Sequence, residues 1–315
     1  MKIGVVGCGN VGFAFLSWLK KQGHVVFGFD CASEVRKRIR INIGENIAVD
    51  NIGALSICDC IFICVPTEPA EDTSADLSIY ESVIIELSKI LQSPSNKSVI
   101  QRSTCPPGSA NYFASLLPAN VSYGVNPSFL RKASIVEDTE APDRIAYAGD
   151  EFVLQQLGKI YEQIKAPRFI TDNMSSVELL KYIENTMDSM LISYWNLMLE
   201  YASHVGISSD DFIAILEKIG DRQKFQTVSR VPGKAFGLWC LPKDALALRF
   251  ELRRKGICSS LLDGIIQVNK HMESLVGVGN TPADHLWRPT SDTTFTILEA
   301  GKKQIENYYT YVLEE

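Results

Sequence analysis

Hydrophobic positions come in short unbroken runs along the first half of the chain and at helical spacing along the second. Lys2–Val6 is a continuous apolar run. A glycine turn follows, and Val11–Lys21 then carries apolar residues three and four apart. Val25–Asp30 is a second run, ending in an acid. Runs that are apolar on both faces suit buried parallel strands, and the change of period from two to 3.6 marks a helix between them. Cys60–Val65, Ser98–Arg102 and Val121–Val125 read as further buried strands, and the alternation continues to about Thr171. Beyond that the pattern is helical. Ser176–Val205 predicts one long helix, started by Ser175 or Ser176 with Glu178 in its first turn. Asp210–Lys218 and Ser259–Leu275 predict two more. After Val276 a loop-rich stretch leads to a last amphipathic segment near Phe295–Leu313. No internal repeat or low-complexity segment is evident.

The turn after the first run is Gly7-Cys8-Gly9-Asn10-Val11-Gly12, and Asp30 lies eighteen residues after Gly12. A G-x-G-x-x-G pattern is weak alone. Between a strand and a helix, with an acid ending the next strand, it predicts a dinucleotide site. Gly7 allows the tight turn, Gly9 lets backbone approach a pyrophosphate, and Gly12 lets helix pack on strand. The N–H groups of Asn10 and Val11 open the helix, whose positive end attracts phosphate. Asp30 accepts from ribose hydroxyls and repels a 2′-phosphate, which favours NAD over NADP. The fold class expected is therefore α/β, an N-terminal Rossmann doubly wound parallel sheet followed by an all-helical domain. The expected divisions are 1–172, 173–276 and a short remnant at 277–315.

The 315 residues suffice for two domains. Hydrophobic residues at 46% and charged residues at 22% are the balance of a soluble globular protein. A net charge of −6, with Arg36–Arg40 the one short basic cluster, argues against a nucleic-acid partner. No apolar run reaches membrane-spanning length, and the opening residues read as a strand, not a signal peptide. The eight cysteines have no disulfide-framework spacing. Cys58-x-Cys60 lacks a second pair, so no metal is expected. Cysteines inside apolar runs point to a reducing, cytoplasmic compartment.

Two groups of residues could carry chemistry. Lys181 and Asn185 lie four apart on the predicted long helix, so they share a face and could bind one oxygen atom between an amide and an ammonium. The same spacing also fits a solvated face. Cys240 lies in a Gly/Pro-rich loop with Lys243 and Asp244 just beyond. A cation beside a thiol favours its thiolate form, although a structural thiol is the alternative.

Four further segments are similar, in order, to motifs of the UDP-glucose/GDP-mannose dehydrogenase family. They are Asp59-Cys60-Ile61-Phe62-Ile63-Cys64-Val65-Pro66-Thr67, Ser103-Thr104-Cys105-Pro106-Pro107-Gly108, Glu178-Leu179-Leu180-Lys181-Tyr182-Ile183-Glu184-Asn185, and Phe236-Gly237-Leu238-Trp239-Cys240-Leu241-Pro242-Lys243-Asp244. The resemblance covers residues 1 to about 276. It implies a cytoplasmic NAD-dependent enzyme, a homodimer built on a long helix at about Asp244–Val276, that oxidises the primary alcohol of a small-molecule substrate in two steps. Cys240 would hold the aldehyde as a thiohemiacetal and then a thioester. Lys181 and Asn185 would bind the reacting oxygen, and Asp244 and Thr104 would position water and the reacting groups. Val65, Pro66, Thr67, Ser103, Thr104 and Lys243 would join Gly7, Gly9, Asn10, Val11, Gly12 and Asp30 around NAD. Ser128, Phe129, Leu130, Lys132, Arg222, Phe236 and Gly237 would bind substrate.

The chain departs from the family pattern in three places. Asn126-Pro127-Ser128-Phe129-Leu130-Arg131-Lys132 resembles the family's N-P-E-F-L-x-E with Ser128 and Lys132 replacing both glutamates, the first a candidate general base. Leu238 and Trp239 are bulky where the family is small. The family's nucleotide-gripping third domain is represented by about forty residues after Val276, including Arg288–Thr293. Two other functions are therefore expected as alternatives: a two-electron alcohol or hydroxy-acid dehydrogenase, and an inactive NAD-binding subunit.

Overall fold

The computed structural model describes residues 1–92, 96–131, 134–220, 235–237 and 240–276. These fall into two compact units, one spanning Met1–Tyr182 and one beginning at Ile183.

The first unit is a sheet of β1 (Lys2–Val6), β2 (Val25–Phe29), β3 (Cys60–Ile63), β4 (Lys97–Gln101), β5 (Val121–Val125), β6 (Ile145–Gly149) and β7 (Arg168–Thr171), in the order β2-β1-β3-β4-β5-β6-β7. Alternate side chains sort to its two faces. Ile3 and Val5 of β1, Cys60 and Phe62 of β3, and Ile145 and Tyr147 of β6 join one buried cluster; Ile61, Ile63, Ala146 and Ala148 join the other. The first cluster is covered by α1 (Asn10–Lys21), α2 (Ser33–Asn42) and α6 (Glu151–Ile160), the second by α3 (Ser78–Ile90) and α4 (Ser109–Ser115). On α1, Phe15 meets Phe62 edge-on at 4.8 Å and Trp18 stacks on Tyr161 at 5.5 Å. Each such buried side chain contributes about 1.5–3 kcal/mol. The expected fold class is observed, with one difference. The sheet is parallel from β2 to β5, but β6, which follows the short α5 (Ile135–Glu140), runs antiparallel to β5.

The second unit is helical. It contains most of α7 (Met174–His204), α8 (Ser209–Gly220), α9 (Cys240–Arg254) and α10 (Ser260–Val276). Ile192, Phe236, Leu262 and Ile265 form one small core; Leu199, Ala202, Phe212 and Leu216 form another.

Three local expectations are corrected. Asn173 opens α7, its side-chain oxygen accepting from the Ser176 N–H at 3.3 Å. Glu178 therefore sits beyond the first turn. The single helix expected at Asp244–Val276 is two, because Gly256 takes φ +70° after α9 and the Ile257 N–H turns back to the Leu252 carbonyl. Cys240 begins α9 and is not in a loop; Pro242, which made the segment look irregular, is tolerated in a first helical turn. Lys132, Arg222, Leu238, Trp239 and everything expected after Val276 lie outside the described residues.

Candidate active site

The glycine turn is built by backbone geometry. Gly7 has φ +82°, in the left-handed region. A Cβ on Gly12 would fall 1.9 Å from the Gly7 carbonyl oxygen, so helix and turn pack at a distance that only glycine permits. A Cβ on Gly9 would meet no atom within 4 Å. That open space lies before the first N–H groups of α1, where Asn10 is exposed and Val11 half-buried, and neither a capping side chain nor an acid occupies the first turn. The residues present therefore fit a dinucleotide pyrophosphate.

Asp30, just past β2, ties this turn in place. Its Oδ2 accepts from the Cys8 N–H at 2.8 Å and its Oδ1 from the Ala32 N–H at 2.9 Å. Arg36 donates to the carbonyls of Asp30 and Cys31 and to Asp50, which also receives Arg40 at 2.7 Å. Both arginines thus already face a carboxylate.

Two more loops follow at the carboxyl ends of β3 and β4, beside the end of β1. The Ser103 hydroxyl donates to the Val65 carbonyl at 2.6 Å, and the Thr67 hydroxyl to the Thr104 carbonyl at 2.8 Å. Val65, Pro66, Thr67, Ser103 and Thr104 are thereby stitched into one edge, continuous with the glycine turn. Ligands of open α/β sheets bind along such an edge.

After β5, Ser128, Phe129 and Leu130 are half-buried. The Lys181 ammonium and the Arg144 guanidinium each sit 5.1 Å from the Phe129 ring centroid. A cation over an aromatic face is held by about 0.5–2 kcal/mol, enough to bias where Lys181 points.

One turn before Lys181 stands Glu178, only 2% exposed. Its carboxylate accepts from the Gln101 side chain (2.9 Å), the Gly108 N–H (2.7 Å) and the Ala110 N–H (2.9 Å). Burial pushes it up to about 7 despite these three donors. Behind Gln101, the Tyr123 hydroxyl donates to the Gln101 carbonyl oxygen at 3.0 Å, and Tyr80 meets Tyr123 at 2.8 Å. Sequence reasoning named Glu178 as a first-turn acid and as part of a family-like segment but gave it no place in the site, and it passed over Gln101. An acid inside an apolar helix face was the signal that could have placed Glu178.

Within the second unit the site rests on buried polar pairs. Asp244 is fully buried, and its Oδ2 accepts from the Asn185 amide at 2.5 Å while its Oδ1 pairs with the Lys243 ammonium at 2.6 Å. Cys240 and Asp244 are four apart on α9 and share a face. Cys240 is exposed and stands at the helix end that attracts negative charge. By contrast, burial pushes the thiols of Cys58, Cys60 and Cys64 up to about 12, which leaves them as small apolar groups. The Phe236 backbone is clamped on both sides by Asn269 of α10, N–H to Oδ1 at 2.7 Å and amide to carbonyl at 2.9 Å. This holds the buried Phe236-Gly237 step ahead of Cys240. Asn269 had no sequence signal, being one asparagine inside a helix.

Similarity to known proteins agrees with this arrangement. The profile of the UDP-glucose/GDP-mannose dehydrogenase family, NAD binding domain, matches residues 42–165, and that of the family's central domain matches 175–271. The glycine turn lies ahead of both and stands on its own geometry. The Bacillus subtilis (strain 168) protein YtcA, provisionally named a UDP-glucose 6-dehydrogenase, is 31% identical over 296 residues, 85% of this chain and 67% of that protein. A UDP-glucose dehydrogenase from the archaeon Pyrobaculum islandicum has a structure matching with a TM-score of 0.80 at 26% identity, over 87% of this chain and 69% of that one. A 3-hydroxyisobutyrate dehydrogenase from Mycobacterium tuberculosis reaches 0.69 at 16% identity, over 94% and 98%. That last likeness is one of fold. Both family domains are present in order, and the chain belongs to the UDP-glucose/GDP-mannose dehydrogenase family of NAD-dependent dehydrogenases.

Proposed function

We propose that the chain oxidises the primary alcohol of a nucleotide sugar to a carboxylate, with Cys240 as covalent nucleophile. The observation that carries this reading is the Asn185–Asp244 hydrogen bond, which joins the helix bearing Lys181 and Asn185 to the one that begins at Cys240. NAD, along the edge from Gly7, Gly9 and Gly12 through Asp30, Val65, Pro66, Thr67, Ser103 and Thr104, supplies a hydride acceptor for each of two oxidations. Lys243 keeps further N–H donors for that cofactor, since an ammonium has three and Asp244 engages one.

With its N–H committed to Asp244, Asn185 turns its amide oxygen toward the substrate hydroxyl, and Lys181 stabilises the alkoxide as the hydroxyl proton passes to solvent water. Cys240 Sγ then adds to the aldehyde carbon, and the carbonyl electron pair moves onto the oxygen beside Lys181. The second oxidation leaves a thioester. Water adds to it, the C–S bond breaks, the sulfur recovers a proton and the carboxylate departs. Ser128 and Phe129 lie against the sugar. Ser128 has no carboxylate to take the proton of water, so thioester hydrolysis is the slow step, and Ser128→Glu should speed it.

The test is the number of NADH formed per product. UDP-glucose or GDP-mannose should yield two for each acid. A yield of one, with an aldehyde or ketone product, would favour the two-electron reading to which Ser128 points. NADH binding without turnover would leave a cofactor-binding subunit.

The protein is further proposed to work as a cytoplasmic homodimer. Among the described residues no helix is long and apolar enough to cross a membrane. Ile183, Tyr194, Leu197 and Tyr201 of α7 stay exposed, whereas Leu262 and Ile265 of the segment first expected to dimerise are buried in their own unit. Light scattering that returns a monomer would refute the dimer.

A further inference from the structure

We propose that Glu178 is a positioning residue that ties the 103–110 loop, which carries the cofactor-facing Ser103 and Thr104, to the turn of α7 that presents Lys181. The inference rests on the proposed function for its catalytic meaning, but its geometry stands within the first unit alone.

Every neighbour of the Glu178 carboxylate is a donor. Gly108 and Ala110 offer backbone N–H groups at the start of α4. Gln101 presents its N–H₂ to Glu178 and its oxygen to the Tyr123 hydroxyl. In this arrangement the described partners of the Glu178 carboxylate all donate to it. The arrangement therefore needs the ionised carboxylate, while burial raises its affinity for a proton to about neutrality. Protonation sets an O–H among donors with no acceptor facing it and weakens the N–H bonds to that oxygen, which loosens the loop.

The groups that face Glu178 are Gln101 from β4, the α4 amides, and behind them Tyr123 of β5 and Tyr80 of α3. Burial raises both phenols well above their ordinary value, so they stay neutral through this range. Cys105 acts on the two tyrosines, and Lys181 is the charged group one turn further along α7. Glu178, with its carboxyl pushed up to about 7, is thus placed to change charge in this packing. It touches neither substrate nor cofactor in the proposed arrangement and acts through Lys181 and the loop.

Two measurements test it. The first needs no substrate or variant: hydrogen exchange at the Gly108 and Ala110 amides of the wild-type protein, corrected for intrinsic rate, should quicken as pH falls from 8 to 6. Exchange that ignores pH overturns the proposal whether or not the protein turns over nucleotide sugars. The second uses Glu178→Gln, which keeps shape and removes charge. Its kcat with UDP-glucose should fall by roughly 10–100-fold, the usual cost of losing an orienting partner. KM for NAD should rise, but by less than kcat falls, because the shifted loop weakens the Ser103 and Thr104 contacts while the misplaced Lys181 is felt in the transition state. Wild-type kcat should fall as pH drops below 7, and that fall should be absent in the variant. An unchanged kcat, or a kcat that falls only in step with the folded fraction, would reduce Glu178 to a structural residue.

Discussion

The edge of the sheet and the head of α9 solve the same problem with different materials. At the sheet edge, positions are fixed by backbone: strand ends in register, a left-handed glycine, and a helix so close to its turn that Gly12 has no room for a methyl group. At α9 they are fixed by side chains that meet across long stretches of sequence, Asn185 with Asp244 and Asn269 with Phe236. A site of backbone tolerates changes of side chain outside its glycines. A site of buried polar pairs depends on each partner, because the remaining one is left desolvated.

The sharpest way to break the contrast is Cys240→Ser. Acid formation should drop by roughly 10³-fold or more, as when a covalent nucleophile is removed, because an alkoxy adduct cannot become a thioester. The intact protein should also lose the mass adduct expected on Cys240. Unchanged steady-state acid production would end the covalent reading.

Asp244→Asn comes next. It leaves Lys243 buried without its counter-charge and sets an amide against that of Asn185. Urea unfolding should report a loss of about 3–5 kcal/mol. A loss below about 1 kcal/mol would mean that the pair behaves like one at the surface.

Glu178 gives an effect with a defined sign. Its carboxyl binds a proton more tightly in the folded protein, up to about 7, than in the unfolded chain. Measured against the fully unfolded chain, the stability it contributes is full at acid pH and is lost as pH rises through neutrality, a swing of about 3 kcal/mol, because burial of the charge outweighs the Gly108, Ala110 and Gln101 bonds that are themselves strongest to the ionised form. The Tm of Glu178→Gln relative to wild type should therefore climb between pH 5 and pH 8. A constant difference would contradict the burial argument.

At the sheet edge, Gly12→Ala should clash with the Gly7 carbonyl and cost about 1–3 kcal/mol, read as weaker NADH binding together with a lower Tm. The smallest effect is the choice of cofactor. NAD should bind at least tenfold more tightly than NADP, about 1.4 kcal/mol, and equal affinities would remove Asp30 from the ribose.

The same division governs what could be read from the sequence. Spacing codes for backbone, so the glycine turn, the strands from β1 to β5 and the start of the helical region were legible to within a residue or two. Periodicity alone marked the last helix at Ser259–Leu275, close to the observed Ser260–Val276, whereas the family resemblance ran one helix across Gly256. The antiparallel β6 was not legible, since nothing in Ile145–Gly149 states a direction. Cys240 could be named from the motif around it, but Pro242 disguised its helix. Asn269, Gln101 and the role of Glu178 were silent because each acts on a residue more than thirty positions away.

Asp30 closes the glycine turn through Cys8 while offering its remaining lone pairs outward. On the proposed reading, one side chain is both fastening and label reader. Anyone wishing to retrain this protein to a phosphorylated cofactor would find that replacing Asp30 unfastens the turn that must receive the diphosphate. The more accessible path leaves Asp30 in place and frees Arg36 and Arg40 from Asp50.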